Sequence, residues 1–151
     1  MIKIENFKLS ILIPCFNEVN SINKIIEKIL KNLENYNYHN YEIIIVDDFS
    51  NDGTRDKLKE LSHINNIKIL LHDCNQGKGA AIRSGVDSIS GDLIIIQDAD
   101  LEYDPSDYNK LLLPFFETDA DIVYGSRFLG GGKYVRIHFF WHYLANKILT
   151  F

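Results

Sequence analysis

DLIIIQDAD, residues 92–100, sets the reading of the whole chain: a short apolar run, Leu93 to Ile96, leads into two acids, Asp98 and Asp100. A run of that length, rich in β-branched residues, is too short for a helix and reads as a buried strand. The pattern recurs along the chain. LSILIP (9–14), YEIIIVDD (41–48) and IKILLH (67–72) read as three more strands, and the Asp pair of the second again falls at its C-terminal end. Helical spacing fills the gaps. Ile22, Ile25, Ile26, Ile29, Leu30 and Leu33 share one helix face, with Ser21 placed to cap it, and Asn35 to Asn40 follow as a polar loop. Leu58 and Leu61 mark a short helix after a turn at Gly53, and Ala81, Ile82, Gly85, Val86 and Ile89 mark the next. Asp104-Pro105 is a helix start, a cap followed by proline at the first helical position. Its helix carries Tyr108, Leu111, Leu112 and Phe115, and Pro114 predicts a kink. DIVYG (121–125) reads as a fifth strand, 129–133 as a Gly-rich loop and 137–151 as a helix. This alternation predicts an α/β fold, a three-layer α/β/α sandwich around a mostly parallel sheet covered on both faces.

In such sheets the ligand sits beyond the carboxyl ends of the strands. The unusual polar residues occur there: Asn17 and Glu18, Asp47 and Asp48, Asn75 to Lys78, and Asp98 and Asp100. Asp98 and Asp100 flank Ala99, and in an extended segment residues two apart point the same way, so both carboxylates can face one cation. Oxygen ligands of this kind suit Mg²⁺ or Mn²⁺, which neutralise a leaving diphosphate. Glu102 either joins that shell or solvates its loop. NQGKGAA (75–81) opens a helix, where backbone N–H groups and the helix dipole favour an anion. Its spacing matches neither a Walker loop nor a dinucleotide GxGxxG, which speaks against a P-loop kinase and a dehydrogenase. Lys78 is either a phosphate or base contact or a solvated lysine at a helix start.

The length of 151 residues fits one domain, and the net charge of −5, with no basic arm or zinc spacing, argues against a nucleic-acid partner. Cys15 and Cys74 form no close pair and read as reduced thiols of a cytosolic protein. The opening MIKIENFKLSILIP is too short in apolar length for a signal peptide or a membrane span. Charge is unevenly placed: residues 1–125 carry 12 Lys/Arg against 21 Asp/Glu, whereas 126–151 hold four cations, seven aromatics and no acid. That tail fits an anionic surface or ligand, or a core helix with a solvated basic edge. We therefore divide the chain into a body, 1–136, and a basic aromatic helix, 137–151. His138 and His142 have helical spacing for a zinc pair, but no third ligand is evident.

Taken together, SILIPCFNE (10–18), VDDFSNDGT (46–54), NQGKGAAIRSG (75–85), GDLIIIQDADLEYDP (91–105) and GSRFLGGG (125–132) resemble the family 2 glycosyltransferases. Within that family the chain is most similar to bacterial relatives of dolichol-phosphate mannosyl- and glucosyltransferases. The resemblance implies a GT-A fold and inverting transfer of a sugar from a UDP- or GDP-sugar. It places Pro14, Phe16, Asn17 and Glu18 along the nucleoside pocket, with Phe16 where many members have tyrosine. Asp47 and Asp48 match base and ribose acids, and Gly77 and Lys78 a nucleotide-contacting loop. Asp98, Ala99 and Asp100 match the metal and diphosphate motif, with Glu102 where some members place a third metal-side group. Arg127 matches an arginine that handles phosphate near the acceptor, and Arg136 a second one. Members continue past the point matching Phe151, so the resemblance implies either that this chain is a fragment or that the protein lacks part of its acceptor site.

A sugar-hydroxyl acceptor needs a base to remove its proton. A lipid monophosphate, with a second pKa of about 6, is largely dianionic at neutral pH and needs fixed cations instead. Arg127, Lys133 and Arg136 can supply them. The expectation is therefore hexose transfer to polyprenyl phosphate at the cytoplasmic face of an anionic membrane. The alternatives are transfer to a glycan hydroxyl, or a nucleotide-sugar-binding module without turnover.

Overall fold

The computed structural model of the chain describes residues 7–118 and 120–125. Four parallel strands, β1 (Leu9–Cys15), β2 (Tyr41–Asp47), β3 (Ile67–Leu71) and β4 (Leu93–Ile96), lie in the order β3-β2-β1-β4. Helices α1 (Ile22–Asn35), α2 (Thr54–Leu61) and α3 (Lys78–Val86) make the crossovers, and α4 (Tyr108–Glu117) follows β4. The order reverses between β1 and β4. The first two crossovers step outward from β1, and α3 then carries the chain back past β1 to its other side. Crossovers of one hand running in opposite directions put their helices on opposite faces. Strand parity agrees. Ile11, Ile13, Ile43, Ile45 and Ile95 pack with α1, α2 and α4, while Leu12, Ile44 and Val46 pack with Ala81 of α3.

Each element follows from local sequence. The α1 stripe is buried at Ile22, Ile25, Ile26, Ile29 and Leu33, as its spacing predicts. Pro14 sits within the central strand without breaking it. Leu9 bonds to Asn40 and Cys15 to Asp48 on the β2 side, so the even-numbered residues of β1 face β4. Pro14, which has no N–H to offer, falls beyond Leu12, the last β1 residue in register with β4. Asp104 accepts from the Ser106 amide at 2.9 Å with Pro105 at the first position, although the chain makes a 3₁₀ turn (Pro105–Asp107) before α4 begins. The α4 helix runs through Pro114 and ends one turn later at Thr118, whose amide and hydroxyl both bond the Pro114 carbonyl.

Three expectations are corrected. Ser21 precedes α1, but its side chain does not cap it; the hydroxyl bonds the Glu18 carboxylate and carbonyl instead, because a short loop holds Glu18 beside it. Residues 121–125 form no strand, and Ile122 and Tyr124 are exposed. An extended segment becomes a strand only when a neighbour completes its ladder, and β4 has β1 as its one partner among the described residues. Coverage of the α3 face is also incomplete among the described residues. The nine-residue α3 spans the central strands, leaving Ile94 and Ile96 of β4 at 44 % and 50 % exposed.

Candidate functional site

The reversal of strand order opens a cleft of about 400 Å³ at the carboxyl edge, lined by Pro14, Cys15, Phe16, Glu18, Asp48, Asn75, Gly77, Lys78, Ala81, Asp98, Ala99 and Asp100. Every strand-end segment singled out in the sequence contributes to it. The volume suits a small-molecule ligand. Three non-glycine residues near these ends adopt positive φ: Asn17 (57°), Phe49 (69°) and Leu101 (67°). Such backbone is costly for L-residues and clusters where structure is held for function.

The two adjacent acids at the end of β2, Asp47 within it and Asp48 just past it, part company by the alternation of extended backbone. Asp47 points to the α2 side, fully buried, where Arg55 Nε donates to its Oδ2 at 2.6 Å and the Ser50 amide at 3.1 Å. Arg55 also stacks over Phe49, 5.1 Å from the ring centroid, and donates to the His72 carbonyl. Asp47 therefore does not line the cleft. Asp48 points the other way, to the wall of the cleft, and is only 2 % exposed. Its Oδ1 accepts from His72 Nδ1 at 2.8 Å and the Gln76 amide at 2.9 Å, and its Oδ2 from the Gly77 amide at 2.6 Å. Burial pushes this carboxyl up, but the donors from Gln76, His72 and Gly77 outweigh burial and hold it below its ordinary value. A carboxylate only accepts, so His72 Nδ1 carries the proton, and Nε2 meets Ser84 Oγ at 2.9 Å. Asp48 is thus the anchor of the 75–77 loop, and it sets where α3 starts. Gly77, at φ 88°, makes that start in backbone that side chains resist.

Asn17 likewise works within the protein. Its amide bonds Ser50 Oγ and its side-chain oxygen takes the Asn51 amide, tying the first two loops together. Phe16 stands at the cleft and is 46 % exposed, the disposition of a stacking surface. Cys15 also lines the cleft, and burial, together with the charges of Asp47, Glu18 and Asp52, pushes its thiol far up, so it is held as the inert thiol.

On the far side, Asp98 and Asp100 both reach the cleft. Lys78 Nζ lies 2.6 Å from Asp98 Oδ1, so a cation already stands at this carboxylate. Asp100 Oδ1 accepts the Glu102 amide at 2.9 Å, closing a turn at Leu101. Glu102 does not line the cleft, and no group of three acids, histidines or cysteines is gathered for a metal among the described residues. Two carboxylates beside an open cleft still fit Mg²⁺ or Mn²⁺, which bind through one or two carboxylates plus substrate phosphates and water. Behind the turn, the buried Gln97 amide donates to the carbonyls of Asp98 and Tyr103 at 3.0 and 3.1 Å, and Tyr108 O–H donates to its Oε1 at 2.9 Å. Arg55, His72 and Gln97 were not singled out in the sequence. Gln97 offered a signal, being a polar residue inside an apolar strand that must find partners if buried. The assignments of Arg127 and Arg136, the pair His138 and His142, Lys133 and the 137–151 helix lie outside the described residues.

With this geometry established, a family model described as glycosyl transferase family 2 matches residues 10–151. The chain belongs to that family. It is 34 % identical over 126 residues to a dolichol-phosphate mannosyltransferase of Pyrococcus furiosus, a stretch covering 83 % of this chain and 35 % of the relative. The family 2 chain thus spans about a third of that protein's length. Among solved structures it resembles a mannosyltransferase of Pyrobaculum calidifontis in complex with GDP-Man and Mn²⁺ (TM-score 0.59, 22 % identity, 67 % of this chain and 30 % of that one). It also resembles the glucosyl-3-phosphoglycerate synthase of M. tuberculosis (TM-score 0.60, 21 % identity, 75 % of this chain and 42 % of that one). These likenesses make the fold that of the GT-A glycosyltransferases. No helix among the described residues is long and apolar enough to cross a membrane.

Proposed function

We propose that this chain is the donor-binding part of an inverting glycosyltransferase that moves a hexose from a UDP- or GDP-sugar to polyprenyl phosphate. The observation that carries the reading is the meeting of Asp98 and Asp100 with the N-terminus of α3 in one cleft at the strand reversal. The base would stack on Phe16, and the diphosphate would lie between the α3 start with Lys78 and the two acids. Bound Mg²⁺ or Mn²⁺, held by Asp98 and Asp100, would supply Lewis-acid neutralisation of the leaving diphosphate. Asp48 contributes by holding the loop that presents Lys78, and Gln97 by holding the turn that presents the acids.

The acceptor phosphate, about −1.5 to −2 in charge at neutral pH, is itself a competent nucleophile and needs no base. Its approach to an anionic donor needs fixed positive charge, for which Arg127 and Arg136 are the candidates, while the basic aromatic tail would rest on the anionic cytoplasmic face of the membrane. The dolichol-phosphate mannosyltransferase relative supports the lipid acceptor, and the Mn²⁺ and GDP-Man of the archaeal structure support metal and nucleotide. Calorimetry with UDP and GDP, with and without Mn²⁺, tests the reading. Binding of one nucleotide that Mn²⁺ tightens and Asp100→Asn weakens is expected. Equal, metal-independent binding in both proteins would remove the metal role, and no binding at all would remove the donor site.

A further inference from the structure

Charge in the cleft is balanced unequally. Asp48 has its carboxylate taken by His72 and the backbone of the 75–77 loop, and Asp100 gives one oxygen to its own turn. Asp98 is balanced instead by a side chain: Lys78 Nζ sits 2.6 Å from Oδ1, on a carboxylate 17 % exposed. The lysine itself is 58 % exposed and begins α3, so its flexible stem can swing while the helix stays fixed. A divalent ion approaching Asp98 meets that ammonium at close range, where like charges repel strongly. A diphosphate arriving at the same helix start offers the ammonium a new partner with more negative charge.

We propose that the Lys78–Asp98 ion pair blocks metal uptake until nucleotide arrives: the diphosphate draws Lys78 off Asp98 and so opens the carboxylate to Mg²⁺ or Mn²⁺. The inference rests on the donor-site reading above and goes beyond it, because it makes metal capture conditional on nucleotide and assigns that coupling to one lysine. In exchange, Lys78 neutralises one charge of the diphosphate, and the protein holds less metal in the absence of donor.

The experiment measures Mn²⁺ binding by electron paramagnetic resonance without nucleotide, in the parent chain and in Lys78→Met, Lys78→Arg and Arg83→Met. UDP and GDP binding without metal is measured in parallel. Circular dichroism checks folding, which an exposed lysine at a helix start should leave intact. Lys78→Met should bind Mn²⁺ at least about fivefold more tightly than the parent, the lower end of ordinary coupling between sites. The same variant should bind metal-free nucleotide more weakly. Lys78→Arg should restore the parent's behaviour. Arg83→Met, which removes a like charge elsewhere on α3, should leave Mn²⁺ affinity near that of the parent. If Lys78→Met binds Mn²⁺ no better than the parent while both bind nucleotide, the block is refuted and the donor site stands. An equal gain in Arg83→Met would also refute it, reducing the effect to net charge. If no protein takes up either ligand, the donor-site reading falls and the block with it.

Discussion

Replacing Asp48 by asparagine should destabilise the fold before it does anything to chemistry. The carboxylate accepts three N–H groups, from His72 Nδ1, Gln76 and Gly77, at 2.8, 2.9 and 2.6 Å. An amide of the same shape has one acceptor oxygen and one NH₂. If the oxygen takes the place of Oδ1, the NH₂ confronts the Gly77 amide. If it takes the place of Oδ2, the NH₂ confronts Gln76, even with the His72 tautomer reversed. One backbone N–H loses its partner either way, at about 1–3 kcal/mol, and the surviving bonds lose charge assistance of roughly 1 kcal/mol each. The sum is about 3–5 kcal/mol, which at a urea slope near 2 kcal/mol/M lowers the midpoint by roughly 1.5–2.5 M. The pH dependence has a definite sign. Asp48 is held below its ordinary value of 3.8, so its contribution is present above that value and is lost as pH falls through the folded-state pKa. The gap between the two proteins should therefore be full at neutral pH and close in acid below 3.8. The assay is urea unfolding followed by circular dichroism at both pH values, alongside calorimetry with nucleotide. An unchanged midpoint together with lost nucleotide affinity would refute the anchoring argument and make Asp48 a direct ligand of the base or ribose.

Gln97→Leu should cost about 2–4 kcal/mol, because Tyr108 O–H and the carbonyls of Asp98 and Tyr103 lose their buried partner, and it should weaken Mn²⁺-dependent nucleotide binding; parent-like thermal unfolding would contradict it. Glu42 is pushed up by burial but pulled further down, to about 2, by Ser10, Ser90 and Lys8, so it stabilises above its ordinary 4.5 and the benefit fades as pH falls towards 2. Glu42→Gln should flatten that acid limb in a pH series of thermal melts, and an unaltered limb would place the acid sensitivity elsewhere. In Gly91→Ala the new Cβ would stand 2.3 Å from Ser10 Oγ and 2.7 Å from the Lys8 carbonyl, so a loss of about 1–3 kcal/mol is expected, and an unshifted melting temperature would show that the β1–β4 edge yields without cost.

Fold class and the edge at which the site lies are legible in the amino-acid order. Apolar runs such as Ile43 to Val46 read as buried sheet when helical patterns separate them, and parallel strands so connected put their loops, with Asp98, Asp100 and Lys78, at one end. These are local and topological constraints, and they act before any side chain meets another. Tertiary structure alone decided what each acid does there. Asp47 and Asp48 are identical and adjacent, yet the alternation of extended backbone sends one to Arg55 on α2 and the other to His72 and the 75–77 loop. The partners come from segments 8 to 29 residues away, which no spacing rule within either motif reveals. The same holds for Lys78, whose ammonium crosses to Asp98 only because the reversal of strand order puts the α3 start beside the end of β4. Residues 121–125 make the converse case. Their strand-like composition is local, but a strand is a property of two segments, and no second segment pairs with them among the described residues.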